Sequence, residues 1–342
     1  MKAWIIHKVV DLTKDSTPLK LVDLPKPVPQ EGELLLKVKT CGICHTEIDE
    51  IEGRTPPPSY PIIPGHQVVG TIEEHKGERK DIATGDRVGV AWIYEACGKC
   101  EFCLSDQENL CDKFKATGRD AHGGYAEYMV VPENFVYKIP DIFTDAEAAP
   151  LLCAGAIGYR SLALCNIKNG MRLGLTGFGA SAHLVLKLAK HLYPDSGMYV
   201  FARSKDEQTF ALKLGAKWAG NTTDKPAEKL HCIIDTTPVW KPVVEALDCL
   251  TPGGRLVINA IRKEHIDTDY LLHLDYPRHL WREKEIKSVA NVTRNDVKEF
   301  IKIAAAIPFK PEVQEYPFNR ANDAIADIKN RKVKGGKVLM IS

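Results

Sequence analysis

Over roughly the first 140 residues, apolar and polar positions alternate in short runs that are broken by Pro and Gly. The runs at 34–40, 68–73, 86–91 and 125–131 have the length and period of strands. Strands at this spacing, with turn residues between them, predict a compact, barrel-like β domain. Pro56, Pro57 and Pro58 read as a stiff loop leading to His66 rather than as a linker. Near residue 145 the texture changes. Thr144 followed by Asp145 and Glu147 predicts a helix start with an acidic first turn. Beyond it, strand-like runs at 172–176, 198–202, 231–235, 254–259 and 286–290 alternate with amphipathic helical stretches. That alternation predicts a doubly wound parallel sheet with crossover helices, so the fold class is α/β with a separate β domain. The stretch 267–281 reads as a loop, and after 291 helix and strand mix again, closing on a strand-like run at 337–341.

Composition narrows the partners. A chain of 342 residues is long enough for two domains, each with its own core. Its 46 basic and 45 acidic residues nearly cancel, which argues against nucleic acid or an anionic membrane surface as a partner. No apolar run is read as long enough to span a bilayer, and Met1-Lys2-Ala3-Trp4 leads into strand-like sequence without a signal peptide. A cytoplasmic location is the expectation.

Ten cysteines are many for a reducing compartment, where clustered thiols serve metals or catalysis more often than disulfides. Cys97, Cys100, Cys103 and Cys111 form a C-x2-C-x2-C-x7-C run, with Gly98 and Lys99 in the first spacer. Four thiolates at these spacings can enclose one zinc tetrahedrally, and a closed shell makes such a site structural. Ferredoxin-type iron–sulfur runs share the C-x2-C-x2-C spacing, so the spacing alone leaves that option open. A zinc-ribbon nucleic-acid binder would need a basic stripe, yet 97–111 sets Lys99 against Glu101, Asp106 and Glu108. Cys41, Cys165, Cys232 and Cys249 read as small buried hydrophobes.

Two further signals carry chemistry. Cys44, His66 and Cys153 lie in Cys-Gly-Ile-Cys-His-Thr (41–46), Pro-Gly-His-Gln-Val-Val-Gly (64–70) and Leu-Leu-Cys-Ala-Gly (151–155). Two thiolates and one imidazole would leave the fourth zinc position free for water or an alcohol oxygen, which is what separates a catalytic zinc from a structural one. Thr46 offers a hydroxyl two residues after Cys44 that could take a proton from the reacting oxygen. Downstream, Gly177-Phe-Gly179-Ala180-Ser181-Ala182 follows a strand-like run and opens a helix. This G-x-G-x-x-A turn sets free N–H groups and a helix N-terminus against a dinucleotide pyrophosphate. At the end of the next strand, where an NAD site normally has Asp or Glu, stand Ala202, Arg203 and Ser204, with Lys205 beside them. A guanidinium and a hydroxyl suit a 2′-phosphate, so NADP(H) is favoured over NAD(H).

Together with Gly-Gly-Tyr-Ala-Glu-Tyr (123–128), these stretches resemble the zinc-dependent alcohol dehydrogenases of the medium-chain dehydrogenase/reductase superfamily, and the likeness covers nearly the whole chain. The resemblance implies a split, GroES-like catalytic domain over residues 1–155 and 292–342, carrying a structural zinc lobe at 95–113. It also implies an inserted Rossmann domain over 156–291 and a homodimer or homotetramer joined through the Rossmann sheets. It implies two zinc ions per chain and reversible interconversion of small alcohols and carbonyls by hydride transfer. By position, His45 and Lys337 match family contacts to the cofactor pyrophosphate, Glu47 a carboxylate that supports the zinc-bound imidazole, and Trp92 an aromatic wall of the substrate pocket with Tyr94 as its neighbour. Two residues depart from the family pattern. Gln67 replaces the usual Glu after the histidine ligand, and Asp49 stands where many members end the proton relay on a histidine. A zinc-free quinone or enoyl reductase and a low-turnover dinucleotide-binding sensor remain as alternatives.

Overall fold

The computed structural model describes residues 1–307, 310–330 and 335–342. In chain order its strands are β1 (Lys2–Ile5), β2 (Lys20–Asp23), β3 (Glu33–Ile43), β4 (Val68–His75), β5 (Arg87–Val90), β6 (Ile93–Glu95), β7 (Lys115–Ala116), β8 (Tyr128–Pro132), β9 (Val136–Lys138), β10 (Arg172–Thr176), β11 (Gly197–Phe201), β12 (Trp218–Gly220), β13 (Leu230–Asp235), β14 (Leu250–Ile258), β15 (Glu285–Ser288), β16 (Val313–Pro317) and β17 (Gly336–Met340). The helices are α1 (His45–Ile51), α2 (Glu101–Leu104), α3 (Asp145–Pro150), α4 (Ala156–Cys165), α5 (Ala180–Leu192), α6 (Lys205–Lys213), α7 (Lys241–Asp248), α8 (Tyr276–His279), α9 (Arg294–Ala306) and α10 (Ala321–Lys329). These elements form two units, one of Met1–Ala156 with Val292–Ser342 and one of Ile157–Asn291.

In the first unit β3 is the hub. It pairs antiparallel with β4 along one side, and on its other side with β8 over its first half and β17 over its second. Two register shifts in the β3–β4 ladder curve the sheet, as bulges do. The sheet runs β16-β17-β3-β4-β5-β9 and buries Leu34, Leu36 and Val38 against Trp4, Tyr125, Phe135, Ile325 and Leu339. Each such large side chain, fully buried, contributes about 1.5–3 kcal/mol. The run read as a strand from 125 joins β3 at Glu127, whose carbonyl accepts from the Val38 amide (2.9 Å), whereas the Tyr125 carbonyl accepts from the Trp4 amide (2.8 Å) and Ala126 bridges Ala3.

Thr144 opens α3 as the sequence predicts, with its hydroxyl accepting from the Glu147 amide (3.1 Å) and the Glu147 carboxylate accepting from the Thr144 amide (2.9 Å). Pro150 has no N–H to continue the ladder, and the chain passes through a π-helical turn, Leu151–Gly155, before α4. Gly155 is required here, since a Cβ on it would lie 2.3 Å from Phe300 of α9. The combined helical stretch Asp145–Cys165 is long and apolar enough to cross a membrane by length and composition, although Asp145, Glu147 and Arg160 interrupt its apolar run. Most of it is buried in the structure, as in the core helix of a globular protein.

The second unit is a six-stranded sheet, β12-β11-β10-β13-β14-β15, parallel throughout. Its strands are apolar on both faces, as Leu173, Leu175, Val200, Ile233, Ile234 and Leu256 show, because helices cover each side of a parallel sheet. Strand order reverses between β10 and β13, which places the ligand crevice outside the carboxyl ends of those two strands. Three details differ from the sequence reading. β14 starts at Leu250, where it pairs Leu230 across a register shift. β12 has three residues, too few to show a period. The stretch 267–281 holds a 3-10 turn, Thr268–His273, and α8.

Replacing Thr144 with Ala should lower stability in urea by about 1 kcal/mol through loss of the α3 cap. An unchanged midpoint would mean that the cap does not hold the helix start.

Candidate functional site

Cys44 is the N-cap of α1, and its Sγ accepts from the Thr46 amide at 3.4 Å. The third residue of the helix, Glu47, completes the cap by accepting from the Cys44 amide through Oε2 (2.8 Å). Its other oxygen lies 2.7 Å from Nδ1 of His66, and both side chains are buried. The carboxylate thereby fixes the imidazole so that Nε2 faces Cys44 Sγ at 3.6 Å. His66 follows Gly65, whose φ of +99° favours glycine and whose missing Cβ would sit 2.3 Å from the Tyr125 ring. Cys153 comes from the π-helical turn, and the ligand atoms of Cys44, His66 and Cys153 all lie within 4.8 Å of one another.

The electrostatics of this trio call for a cation. A hydrogen bond with Cys153, then burial and Glu47, push the Cys44 thiol well above its ordinary range. For His66, burial works against the charged ring, but Glu47 and Cys44 more than offset it and raise its pKa well above the usual value. A divalent ion would replace the protons that these groups otherwise hold. Two sulfurs and one oriented nitrogen fit zinc with one position open.

Cys97, Cys100, Cys103 and Cys111 form a second group with ligand atoms within 4.8 Å of one another. Amides of Lys99 and Cys100 bring the Cys97 thiol down to about 6, whereas burial raises Cys103 to about 12. The Lys113 amide donates to Cys111 Sγ at 3.4 Å. Glu108, buried within this lobe, accepts from the Arg294 amide (2.7 Å) and guanidinium (3.0 Å), which ties the lobe to the start of α9. Four thiolates this close together would fill all four positions of a zinc ion and leave none open.

The glycine-rich turn lies in the second unit between β10 and α5. Gly177 has φ +76°, its amide donates to the Phe201 carbonyl (2.8 Å), and a Cβ there would meet Thr236 and Thr237. Gly179 is the N-cap of α5, with Ala180 and Ser181 in the first turn, and it brings no side chain to cap the amides at the helix start. At the end of β11, Ala202 is buried and its carbonyl accepts from Gln208 (2.7 Å). Arg203 is exposed, and Ser204 caps α6 by accepting from the Glu207 amide (3.1 Å).

The remaining candidate residues take the following places. Asp49 is buried, and its carboxylate is held by Arg54 Nε at 2.7 Å. Arg54 also pairs with Glu52, which accepts from Lys329 of α10 at 2.6 Å. Lys337 is buried with its ammonium donating to Tyr316 Oη (2.6 Å), and that hydroxyl donates to Asp327 (2.7 Å). Gln67 is buried with its amide against Gly42, where a Cβ would come within 2.6 Å of Oε1. Trp92 stacks on Phe114 with centroids 4.7 Å apart, and Tyr94 donates to the Val130 carbonyl (3.4 Å) while packing on the core of the first unit. Thr46 is partly exposed and His45 exposed at the start of α1.

Residues 30–141 match the alcohol dehydrogenase GroES-like domain family. A probable alcohol dehydrogenase AdhA of Mycobacterium tuberculosis is 38% identical over 346 residues, covering 100% of this chain and 97% of that protein. This chain belongs to the zinc-type medium-chain alcohol dehydrogenase family. An alcohol dehydrogenase of Geobacillus stearothermophilus is 32% identical, covering 100% of this chain and 99% of its own. Among solved structures, the same fold is seen in CAD from Helicobacter pylori complexed with NADP(H) (TM-score 0.85, 24% identity, 99% of this chain and 97% of that one). It is also seen in an NAD-dependent alcohol dehydrogenase (TM-score 0.87, 22% identity, 100% of both chains).

One residue of this alcohol dehydrogenase was not singled out from sequence. Glu50 lies three residues after Glu47 on α1, is buried, and has neither carboxyl oxygen hydrogen-bonded among the described residues. Only its helical offset from Glu47 hinted at it. Burial, then Glu47, raise its pKa well above the carboxylate range, against the pull of His66 and Arg119. The folded chain therefore holds a proton there that the unfolded chain releases near the ordinary value. Stability from this group is full at low pH and falls as pH rises from about 4.5 through the folded pKa. Glu50→Gln should remove that decline, so that the Tm difference between variant and parent grows in favour of the variant with rising pH. Parallel Tm curves across that range would sink this account.

Proposed function

We propose that the chain is an NADP(H)-preferring alcohol dehydrogenase with two zinc ions, a catalytic one held by Cys44, His66 and Cys153 and a structural one held by Cys97, Cys100, Cys103 and Cys111. The observation that carries the reading is the trio's convergence with Glu47 already orienting His66. Bound at the trio, zinc supplies the Lewis acidity that lowers an alcohol's pKa and polarises a carbonyl. The chain's own groups do the rest. Thr46, beside Cys44, accepts the proton of the substrate hydroxyl as it passes its own outward through a cofactor ribose hydroxyl, and Trp92 and Tyr94 offer aromatic surface for a small alcohol or carbonyl. Asp49 with Arg54 holds a fixed ion pair at the far end of α1, so a relay that reaches Asp49 meets a carboxylate already compensated. In the second unit the Gly177–Gly179 turn and the start of α5 suit the pyrophosphate, and Arg203, Ser204 and Lys205 suit a 2′-phosphate. His45 would add a contact to the cofactor, while Lys337 would first have to release Tyr316.

All four residues of β15 are exposed at the edge of the six-stranded sheet, Ile286 among them. An open edge of this kind suits antiparallel pairing with a second copy and a homodimer or homotetramer. Ten cysteines without a disulfide fit a cytoplasmic setting.

Metal analysis should return two zinc ions per chain. Cys44→Ser should cut turnover on a panel of aldehydes and ketones by about 10³-fold or more while keeping the structural zinc. Zero zinc in the parent would favour a metal-free quinone or enoyl reductase instead, and an inactive parent a dinucleotide sensor. Arg203→Ala should weaken NADPH binding by about tenfold and leave NADH nearly unchanged. Equal or tighter binding of NADH by the parent would overturn the cofactor assignment.

A further inference from the structure

Asp235, the last residue of β13, is fully buried at the carboxyl end of the sheet, one side of the strand-order reversal. It accepts from the hydroxyls of Thr176 and Thr237 and from the ammonium of Lys263. Lys263 sits in the segment after β14, its side chain almost covered, and it also donates to the carbonyls of Thr237 (2.7 Å) and Val239 (3.1 Å). All three ammonium protons are thus directed at β13 and the turn that follows it. The same two segments are joined again by the Glu264 amide to the Pro238 carbonyl (2.6 Å) and by Asp267, which accepts from the amides of Trp240 (2.9 Å) and Lys241 (2.8 Å). Asn259 closes the inner end, its amide donating to the Asp235 carbonyl (2.8 Å).

This double segment borders the phosphate turn. The Thr236 amide and hydroxyl both donate to the Thr176 carbonyl, at 3.0 and 2.9 Å, and Thr236 and Thr237 fill the space beside Gly177. In a sheet of this order a dinucleotide lies across the reversal point. One half follows β11, where Arg203 stands, and the other follows β13 and β14. The geometry points to Lys263 as a positioning residue that joins the turn after β13 to the segment after β14 into one shelf for the second, nicotinamide-bearing half of the dinucleotide. This rests on the dinucleotide reading proposed above. Lys263 need not touch the cofactor. It acts by holding Asp235 and two backbone carbonyls, so that the shelf is formed before the ligand arrives and its ordering cost is not met at binding.

The test separates the two halves of the ligand in the full-length, zinc-loaded protein. Lys263→Met keeps the length of the side chain and removes its three donated bonds. It should raise the Kd for reduced dinucleotide, measured by its fluorescence, by about tenfold. The Kd for ADP, which spans only the phosphate turn and the first half, should stay within about twofold by calorimetry. A general loosening of the unit would weaken both ligands alike, and that result, or no change in either, overturns the proposal. Because Lys263→Met leaves the Asp235 carboxylate buried without its counter-charge, the double variant Asp235→Asn/Lys263→Met gives a neutral pair and should show the same split. If the parent protein binds neither dinucleotide nor ADP, the dinucleotide reading itself has failed, and the role given to Lys263 falls with it.

Discussion

A buried carboxylate organises the first unit. Glu47 cannot reach water, so its two oxygens must be answered locally, one by the Cys44 amide and one by His66. Those two contacts cap a helix and orient a ring at once, and they explain why Cys44 and His66, 22 residues apart, arrive with their ligand atoms facing each other. The helix N-terminus would favour the thiolate at its cap once a cation has displaced the thiol proton. The hydrogen bond with Cys153 and then burial raise the Cys44 thiol, while Glu47 and Cys44 raise the His66 imidazole against its burial, so a cation bound here would take the place of protons that these groups hold.

The surroundings of the trio are more acidic than a plain ligand set requires. Helix α1 carries Glu47, Asp49 and Glu50 in succession, all buried, and the structure resolves them in three ways. Glu47 is compensated by the site, Asp49 by Arg54, and Glu50 by keeping its proton. The Arg54 guanidinium also reaches Glu52, and Glu52 reaches Lys329, so the helix that bears Cys44 is anchored to α10 by a chain of alternating charges. Half-buried networks of this kind contribute definition more than stability, because the carboxylates have already lost most of their hydration.

The second unit solves a different problem, how to leave backbone donors free. Gly179 at the N-cap of α5 brings no side chain to satisfy the first amides, and Gly177 takes the positive φ that the tight turn before them requires. Order around this turn comes from side chains on neighbouring strands, where Thr176, Thr236, Asp235 and Lys263 connect the carboxyl ends of β10 and β13 to the segment beyond β14.

Much of this was legible in the chain. The four-cysteine run, the glycine turn between strand and helix, the Thr144 cap and most of the parallel strands are local patterns, because zinc ligation, phosphate cradles and helix starts depend on side chains and amides a few residues apart. The trio needed three separated motifs to be read together, in order, around the four-cysteine run. What the spacing could not carry was the state of each charged group. Asp49 reads as a relay group, and the structure sets Arg54 against it; Lys337 reads as a cofactor contact, and the structure encloses it with Tyr316 and Asp327; Glu50, which the sequence did not mark, is closed in by the core. The short strand β12 and the early start of β14 were likewise set by pairing partners rather than by their own period. Local chemistry names the donors, whereas solvation and counter-charge are supplied by segments far away in sequence, so only the tertiary structure decides which donors are free to act.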